Sequence, residues 1–419
     1  MYYYLGLIIL FLLVWQLGLG IAAHYRRVRS SARFRALERE LLSKKIEHII
    51  GQSNAPKSGT AAWAGWRKFR VGSIVTENDT IKSFLLYPHD GKKLSGFKPG
   101  QHLTFRLKIP GKSKPVIRCY SLSEGTFNND YYRVTIREHL SPPNTKNIPD
   151  GISSGYFHNI LSEQDILDVK APTGKFYLDT TEKTPVAFIA GGVGLTPSLS
   201  MLNTLYALGS KRDIWLLYAV RSESDLIMVE HFMQISREMP NLQIHFFLSQ
   251  IEDQKLPKRR HKGYISVEKM RELGVPIDAD YYICGPAPMM KSIVGGLLDN
   301  DVDDERIHFE SFGPASVAKS VSKDNVTNYE QGQDKQFSVS FNISNKNVVW
   351  DKSSGTLLET SEEAGVEMES GCRAGSCGTC ITAVLKGEIS YIEDPGIEVE
   401  KGCCLPCIAV PKSDILLNA

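Results

Sequence analysis

The chain has 419 residues, 42% hydrophobic and 23% charged, and its 49 Lys and Arg nearly balance 47 Asp and Glu for a net charge of +2. That length calls for roughly two to four domains of ordinary globular composition. No Lys/Arg stripe interleaved with aromatics runs through it, so nucleic acid is excluded as a partner.

Leu5 to Ala23, "LGLIILFLLVWQLGLGIAA", carries no charge. As a helix it spans roughly 28 Å, about one hydrocarbon core. The positive cluster Arg26, Arg27, Arg29, Arg33 and Arg35 follows this segment, whereas a secretory signal opens with its charges. The expectation is an uncleaved single-pass anchor over residues 1–25 in the cell inner membrane, with the C-terminal domains cytoplasmic. Apolar residues at Val28, Phe34, Leu37, Leu41, Leu42, Ile46 and Ile49 then predict an amphipathic helix. It either lies on anionic lipid or stands off the bilayer as a stalk, and "GQSNAPKSGTAA" closes the 26–62 segment as a linker.

From Trp66 the period becomes two, in "KFRVGSIV", "TIKSFLLYP", "HLTFRLKIP" and "YYRVTIREH". This predicts an antiparallel β-barrel or sandwich over residues 63–180. From Thr184, "PVAFIAGG", "DIWLLYAV", "LQIHFFLS" and "DYYICG" alternate with helix-length segments such as Pro197–Leu208 and Asp225–Glu238. That alternation predicts a doubly wound parallel sheet over 181–313, with ligands at the carboxyl ends of its strands. A polar linker over 314–335 leads to a third region, 336–419.

The loop "AGGVGLTP" follows an apolar run and opens a helix, so Gly191, Gly192 and Gly194 allow a pyrophosphate to approach free helix N–H groups. By itself it also suits a tight strand-to-helix turn without a ligand. "CGP" at Cys284–Pro286 ends another expected central strand, and the two loops would flank one crevice. Upstream, "RCYS" offers a guanidinium, a ring and a hydroxyl at Arg118, Tyr120 and Ser121, with Arg118 and Tyr120 on one side of a strand. "GISS" at Gly151–Ser154 precedes a helix-like stretch and makes a second phosphate-competent helix start.

In order and spacing, "PGQHLTF", "RCYS", "GISS", "AGGVGLTP", "CGPAPMM" and "HFESFGP" resemble the ferredoxin–NADP⁺ reductase superfamily, nearest to the reductase half of flavohaemoglobins and to oxygenase reductases. The resemblance covers about Trp63 to Pro314. It implies an FAD-binding barrel in which Arg118, Tyr120 and Ser121 hold FAD, with Gln101, His102, Gly151 and Ser154 near it. It implies that Gly191, Gly192, Gly194 and Thr196 line the nicotinamide dinucleotide site, with Cys284 and Gly285 close to the nicotinamide ring. Glu310 and Phe312 match positions where the family sets a carboxylate and an aromatic against the flavin. The stretch before Trp63 is too short for a globin, so haem and nitric-oxide dioxygenation are not implied.

Six of the eight cysteines lie in "GCRAGSCGTC" and "CCLPC". The spacing Cys372-x4-Cys377-x2-Cys380 is that of plant-type [2Fe–2S] sites, which take a fourth cysteine further on. Glycines at 375 and 378 let the loop fold tightly around a cluster. A reducing compartment disfavours disulfides, and the four-residue gap is not a zinc knuckle. Cys403, Cys404 and Cys407 are the candidates for fourth ligand, and Cys407 is preferred because "LPCIAVP" resembles the apolar strand holding the last ferredoxin cysteine. The third region is then an α+β β-grasp ferredoxin domain.

In series, these parts imply an NAD(P)H:acceptor oxidoreductase with FAD and a [2Fe–2S] cluster, serving a partner oxygenase, desaturase or hydroxylase, itself membrane-associated. The alternative is the electron-input subunit of a respiratory, quinone-reducing membrane complex, although there the ferredoxin module precedes the flavin module. A redox sensor without catalysis is the third reading. For the coenzyme, Arg221 and Ser222 would greet a 2′-phosphate while Glu223 and Asp225 would repel one, which favours NADH.

Overall fold

The computed structural model describes residues 62–112, 115–141, 150–251, 256–310, 312, 336–373, 375, 377–392, 395, 397 and 399–419. The expected anchor, juxtamembrane helix and 314–335 linker lie outside these residues. Among the described residues no helix is long and apolar enough to cross a membrane.

Six antiparallel strands form the first module: β1 (Arg67–Thr76), β2 (Ile81–Pro88), β3 (His102–Leu107), β4 (Val116–Ser121), β5 (Tyr132–Arg137) and β6 (Ile166–Val169), ordered β4-β3-β6-β1-β2-β5. The period of two sends Phe69, Val71, Phe84, Leu86, Leu103, Phe105, Val134 and Ile136 into one core. Each such side chain contributes roughly 1.5–3 kcal/mol on burial. Helix α1 (Ile152–Asn159) closes the barrel end, its Phe157 ring edge-on to Phe84 and Phe105 at 5.1 and 5.5 Å. The helix starts earlier than expected, because Gly151 is its N-cap and Ser153 and Ser154 belong to its first turn rather than preceding it.

The second module is a six-stranded sheet in the order β10-β9-β8-β7-β11-β12, parallel throughout. Its strands are β7 (Val186–Gly191), β8 (Ile214–Val220), β9 (Leu242–Leu248), β10 (Arg260–Lys262), β11 (Asp280–Cys284) and β12 (Ile307–Glu310). Helices α2 (Leu195–Ala207), α3 (Val229–Glu238), α4 (Val267–Glu272) and α5 (Ala287–Leu298) join them. Two apolar layers form on the sheet's faces, which is why β7 is apolar along its whole length. After β10 the chain returns to the other side of β7 to lay down β11, so the order reverses between β7 and β11. A crevice opens at such a switch point. The helix expected from Asp225 begins only at Val229, since Met228 takes a left-handed φ of 56° and Glu223–Asp225 form their own 3₁₀ turn.

The third module is a five-stranded mixed sheet ordered β14-β13-β19-β15-β17, with a separate β16–β18 pair. Its strands are β13 (Phe337–Phe341), β14 (Lys346–Trp350), β15 (Thr382–Lys386), β16 (Ile389–Tyr391), β17 (Cys403–Cys404), β18 (Ala409–Pro411) and β19 (Ile415–Leu417). The parallel pair β13–β19 is central, and helix α6 (Leu357–Glu363) covers it. A reciprocal cap starts that helix: Glu359 N–H donates to Thr356 Oγ1, and Thr356 N–H to the Glu359 carboxylate. Cys407 is not in a strand, as its context suggested, but in the turn between β17 and β18, whose Pro406 carbonyl accepts from Leu358 N–H at 3.0 Å. A turn can aim a side chain away from the sheet, which strand alternation would not permit here.

A polar chain pins the first two modules together. Ser200 on α2 donates to the Glu124 carbonyl at 2.7 Å, and Asn203 Nδ2 donates to its carboxylate at 3.4 Å. Arg133 Nη2 lies 3.6 Å from that carboxylate, while His231 Nε2 donates to Asn203 Oδ1 at 2.7 Å. Burial, with Arg133 nearby, pushes the His231 imidazole down to about 4 from its ordinary 6.5. Its stabilising contribution is therefore present above pH 6.5 and is lost as pH falls through about 4, on the order of 3 kcal/mol in full. We expect His231→Gln to shrink the loss of Tm between pH 7 and pH 4.5. An unchanged loss would show that this histidine is not held neutral.

Candidate redox site

At the switch point lies a cavity of about 810 Å³, lined by Gly191, Gly192, Arg221, Asp225, Tyr264 and Met289 together with barrel residues. The three loop glycines do different work. A Cβ on Gly194 would stand 2.3 Å from the Cys284 carbonyl, and one on Gly191 2.7 Å from Pro286 Cδ, so these two let the strand-end loops pack on each other. Gly285 approaches Gly191 in the same way, at 3.0 Å. Gly192, with φ of 55°, has open space around it except for Arg137. The Thr196 hydroxyl donates to the Val193 carbonyl at 3.1 Å and so braces the turn.

Arg137 completes this wall, and sequence reasoning missed it. It ends barrel strand β5, and its Nη1 lies 3.6 Å from where a Cβ on Gly192 would stand. A guanidinium beside a glycine loop that opens a helix is an anion site. In sequence it is one charge among many on a strand end; only the packing of two modules brings it here. Next to the cavity-lining Arg221 and Asp225 in sequence, Glu223 is gripped by Arg260 with two hydrogen bonds from Nε at 2.9 Å. The Ser222 N–H and hydroxyl occupy Asp225 Oδ2 at 3.0 and 2.8 Å. Both acids expected to repel a 2′-phosphate are thus engaged locally, leaving Arg221 and the 80% exposed Tyr264 on the cavity wall.

On β4, Arg118 and Tyr120 share the side that pairs with Phe105 and Leu103. The Tyr120 ring packs edge-on to Phe157 at 5.1 Å, and its hydroxyl lies 2.8 Å from Ser153 Oγ in the first turn of α1. Arg118 Nη1 donates to the Ile117 carbonyl. Gln101 and Ser154 act on the surrounding loops: Gln101 Nε2 donates to Gly174 O, and Ser154 Oγ accepts from His139 N–H. Phe312 is 53% exposed just beyond β12.

Ser121 Oγ donates to Glu310 Oε2 at 3.5 Å, and Glu310 Oε1 lies 3.9 Å from His102 Nδ1. Burial pushes the Glu310 carboxyl up to about 8, with Cys372 adding to it, and burial also lowers the His102 imidazole. Both groups are therefore uncharged at neutral pH. Cys284, fully buried beside Glu310, keeps its thiol protonated for the same reason. Among the described residues His102 Nε2 has no hydrogen-bond partner. A neutral carboxyl, a hydroxyl and an unpartnered ring nitrogen fit a flat heterocycle with a polar edge, as a flavin has.

Around the cysteine loop, Cys372 N–H points at Cys377 Sγ at 3.2 Å and Cys377 N–H at Cys372 Sγ at 3.3 Å. Cys380 Sγ lies 3.2 Å from Cys407 Sγ, and Cys372 is beside Cys407. Among the described residues no His, Cys, Asp or Glu groups have the geometry of a single-ion site. Two thiol pairs with amide donors suit a two-iron cluster better than one tetrahedral ion. Cys403 is half-buried on β17, and Cys404 is fully buried in the core, where its thiol rises to about 12.

The comparisons agree with this layout. Three family models match: an oxidoreductase FAD-binding domain over residues 71–177, an oxidoreductase NAD-binding domain over 188–295, and a 2Fe-2S iron-sulfur cluster binding domain over 341–412. A flavohemoprotein of Halalkalibacterium halodurans is 36% identical over 63% of this chain and 64% of its own length. The chain thus spans a little under two thirds of that relative. The flavohem-like FAD/NAD binding domain of the Vibrio cholerae nitric oxide dioxygenase aligns at 29% identity, with a TM-score of 0.53, over 60% of this chain and all of that one. Phthalate dioxygenase reductase shares the three-module fold, at 24% identity and a TM-score of 0.51, over 85% of this chain and 98% of that one. The chain belongs to the ferredoxin–NADP⁺ reductase superfamily, with a [2Fe–2S] domain at its C-terminal end. Its cofactors are FAD, a [2Fe–2S] cluster and a pyridine nucleotide.

Arg137 gives the first test of the crevice. We expect Arg137→Ala to raise the nucleotide KM about tenfold in ferricyanide reduction, with kcat within about twofold, as loss of a charge-assisted contact predicts. An unchanged KM would remove Arg137 from the site.

Proposed function

We propose that the chain is a membrane-anchored NAD(P)H-dependent reductase that delivers electrons through FAD and the [2Fe–2S] cluster to a separate oxygenase, desaturase or hydroxylase. One observation carries the reading: in the cluster loop a Cβ on Gly371, next to Cys372, would stand 3.2 Å from Ile117 Cγ2, on the barrel strand that carries Arg118, Tyr120 and Ser121. The two redox centres then share a wall inside one chain. The uncharged segment Leu5–Ala23 supports the anchor, which would hold donor and acceptor in one plane and raise their encounter rate.

When bound, the flavin takes an electron pair from the nicotinamide and the two-iron cluster accepts electrons singly. The chain supplies position and proton control. Gly192, Arg137 and the first turn of α2 hold the dinucleotide phosphates, and Gly285 with Cys284 gives the nicotinamide a close, dry seat. Arg118 would meet the flavin's own phosphates, and Tyr120, fixed by Ser153, would lie against the ring. Phe312, exposed beyond β12, would be free to cover the ring's opposite face. Ser121 and Glu310 hold a proton at the ring's polar edge, because Glu310 stays protonated up to about pH 8. Cys372, Cys377, Cys380 and Cys407 ligate the cluster.

Purified protein should reduce both ferricyanide and cytochrome c with NADH. We expect Cys407→Ser to lose the visible iron–sulfur absorption and most cytochrome c reduction while keeping ferricyanide reduction at the flavin, and Cys403→Ser to keep all three. The reverse pattern would move the fourth ligand to Cys403. Failure of the unmodified chain to reduce cytochrome c would sink the proposal.

A further inference from the structure

Strand β4 has two sides, and the flavin roles of Arg118, Tyr120 and Ser121 leave Ile117 and Cys119 unused. Arg118 and Tyr120 take one; Ile117 and Cys119, by strand alternation, take the other. The cluster loop lies on that second side. A Cβ on Gly371 would stand 3.2 Å from Ile117 Cγ2 and 2.8 Å from Cys377 Sγ, so the loop lies flat on the strand because position 371 has no side chain. Two residues along, Cys119 lies on the same side of the strand, with Cys372 and Cys377 as neighbours of its thiol. Thr104, opposite Cys119 on β3, places its Oγ1 3.3 Å from Cys119 Sγ.

We propose that Cys119 is a positioning residue for the cluster: its S–H donates across the module boundary to the sulfurs of Cys372 and Cys377, raising the cluster's reduction potential. Hydrogen bonds to cluster sulfurs stabilise the reduced, more negative form over the oxidised one, and so favour uptake of an electron. Thr104 orients the thiol: its hydroxyl donates to Cys119 Sγ, leaving the S–H to point at the ligand sulfurs, and each bond of such a chain strengthens the next. The sequence places Cys119 more than 250 residues before the cluster loop and gives no hint of this contact. The inference rests on Cys372 and Cys377 being ligands, so the test must separate the two claims.

The variants are Cys119→Ala, Cys119→Ser and Thr104→Val in the full chain loaded with FAD and cluster. Iron content and visible absorption report ligation; a redox titration followed by electron paramagnetic resonance reports the potential. Cys119→Ala should keep the iron and the absorption while shifting the cluster's equilibrium about tenfold towards the oxidised form, which is about 59 mV more negative for one electron. Cys119→Ser, which keeps a donor, should recover most of the shift, and Thr104→Val should give a smaller shift of the same sign. The flavin's potential should not move. A Cys119→Ala cluster with the unmodified potential overturns the proposal, as does loss of iron from that variant, which would make Cys119 structural or a ligand. Retention of the cluster in Cys407→Ser would instead fault the ligand set.

Discussion

Electron transfer between two bound groups falls off steeply with distance, so everything in this chain depends on how the cluster loop lies against barrel strand β4. The contact is made by small atoms: Gly371 lies on Ile117, with Cys119 two residues further along the same side of the strand. A side chain at 371 would push against a rigid strand on one side and the Cys377 sulfur on the other. Such a loop has little room to relax, because β4 is itself held by a full antiparallel register with β3, from His102–Ser121 to Leu107–Val116. The barrel therefore serves twice, once as a cradle for the flavin and once as the platform on which the ferredoxin module rests.

The electrostatics of the shared wall follow from its dryness. His102 and Cys284 are buried and the Glu310 side chain is only 17% exposed, and burial drives each towards its uncharged form at neutral pH. Fixed charges would bias any redox centre bound there. Neutral donors and acceptors let the site answer a change of charge on a bound ring without first repelling it. The charged clamps stand further out, with Arg137 at the nucleotide loop and Arg260 locked to Glu223.

Local pattern carried much of this architecture. The alternation of "TIKSFLLYP" and the continuous apolar run of "PVAFIAGG" distinguish a strand with one buried face from one covered on both, and the observed sheets follow that distinction. The cysteine spacing and the glycine loop were legible for the same reason: their chemistry is written within ten residues. Contacts across modules were not. Arg137, Cys119 and the Glu124–Asn203–His231 chain gain their meaning from elements far apart in sequence. Local conformation also overrode pattern at Met228, where a left-handed residue delays a helix, and at Cys407, which sits in a turn although its neighbours read as strand. The loop glycines were legible as a group but not in their roles, since only packing shows that Gly191 and Gly194 serve the neighbouring loop.

The central claim is that flavin and cluster exchange electrons within one chain across the β4 wall. Anaerobic stopped-flow reduction by NADH, followed at the flavin and iron–sulfur absorption bands, tests it most directly. The account predicts that flavin bleaching is followed by cluster bleaching at a rate that does not change with protein concentration. A cluster that stays oxidised while the flavin is reduced, or one whose reduction speeds up in proportion to protein concentration, would contradict it.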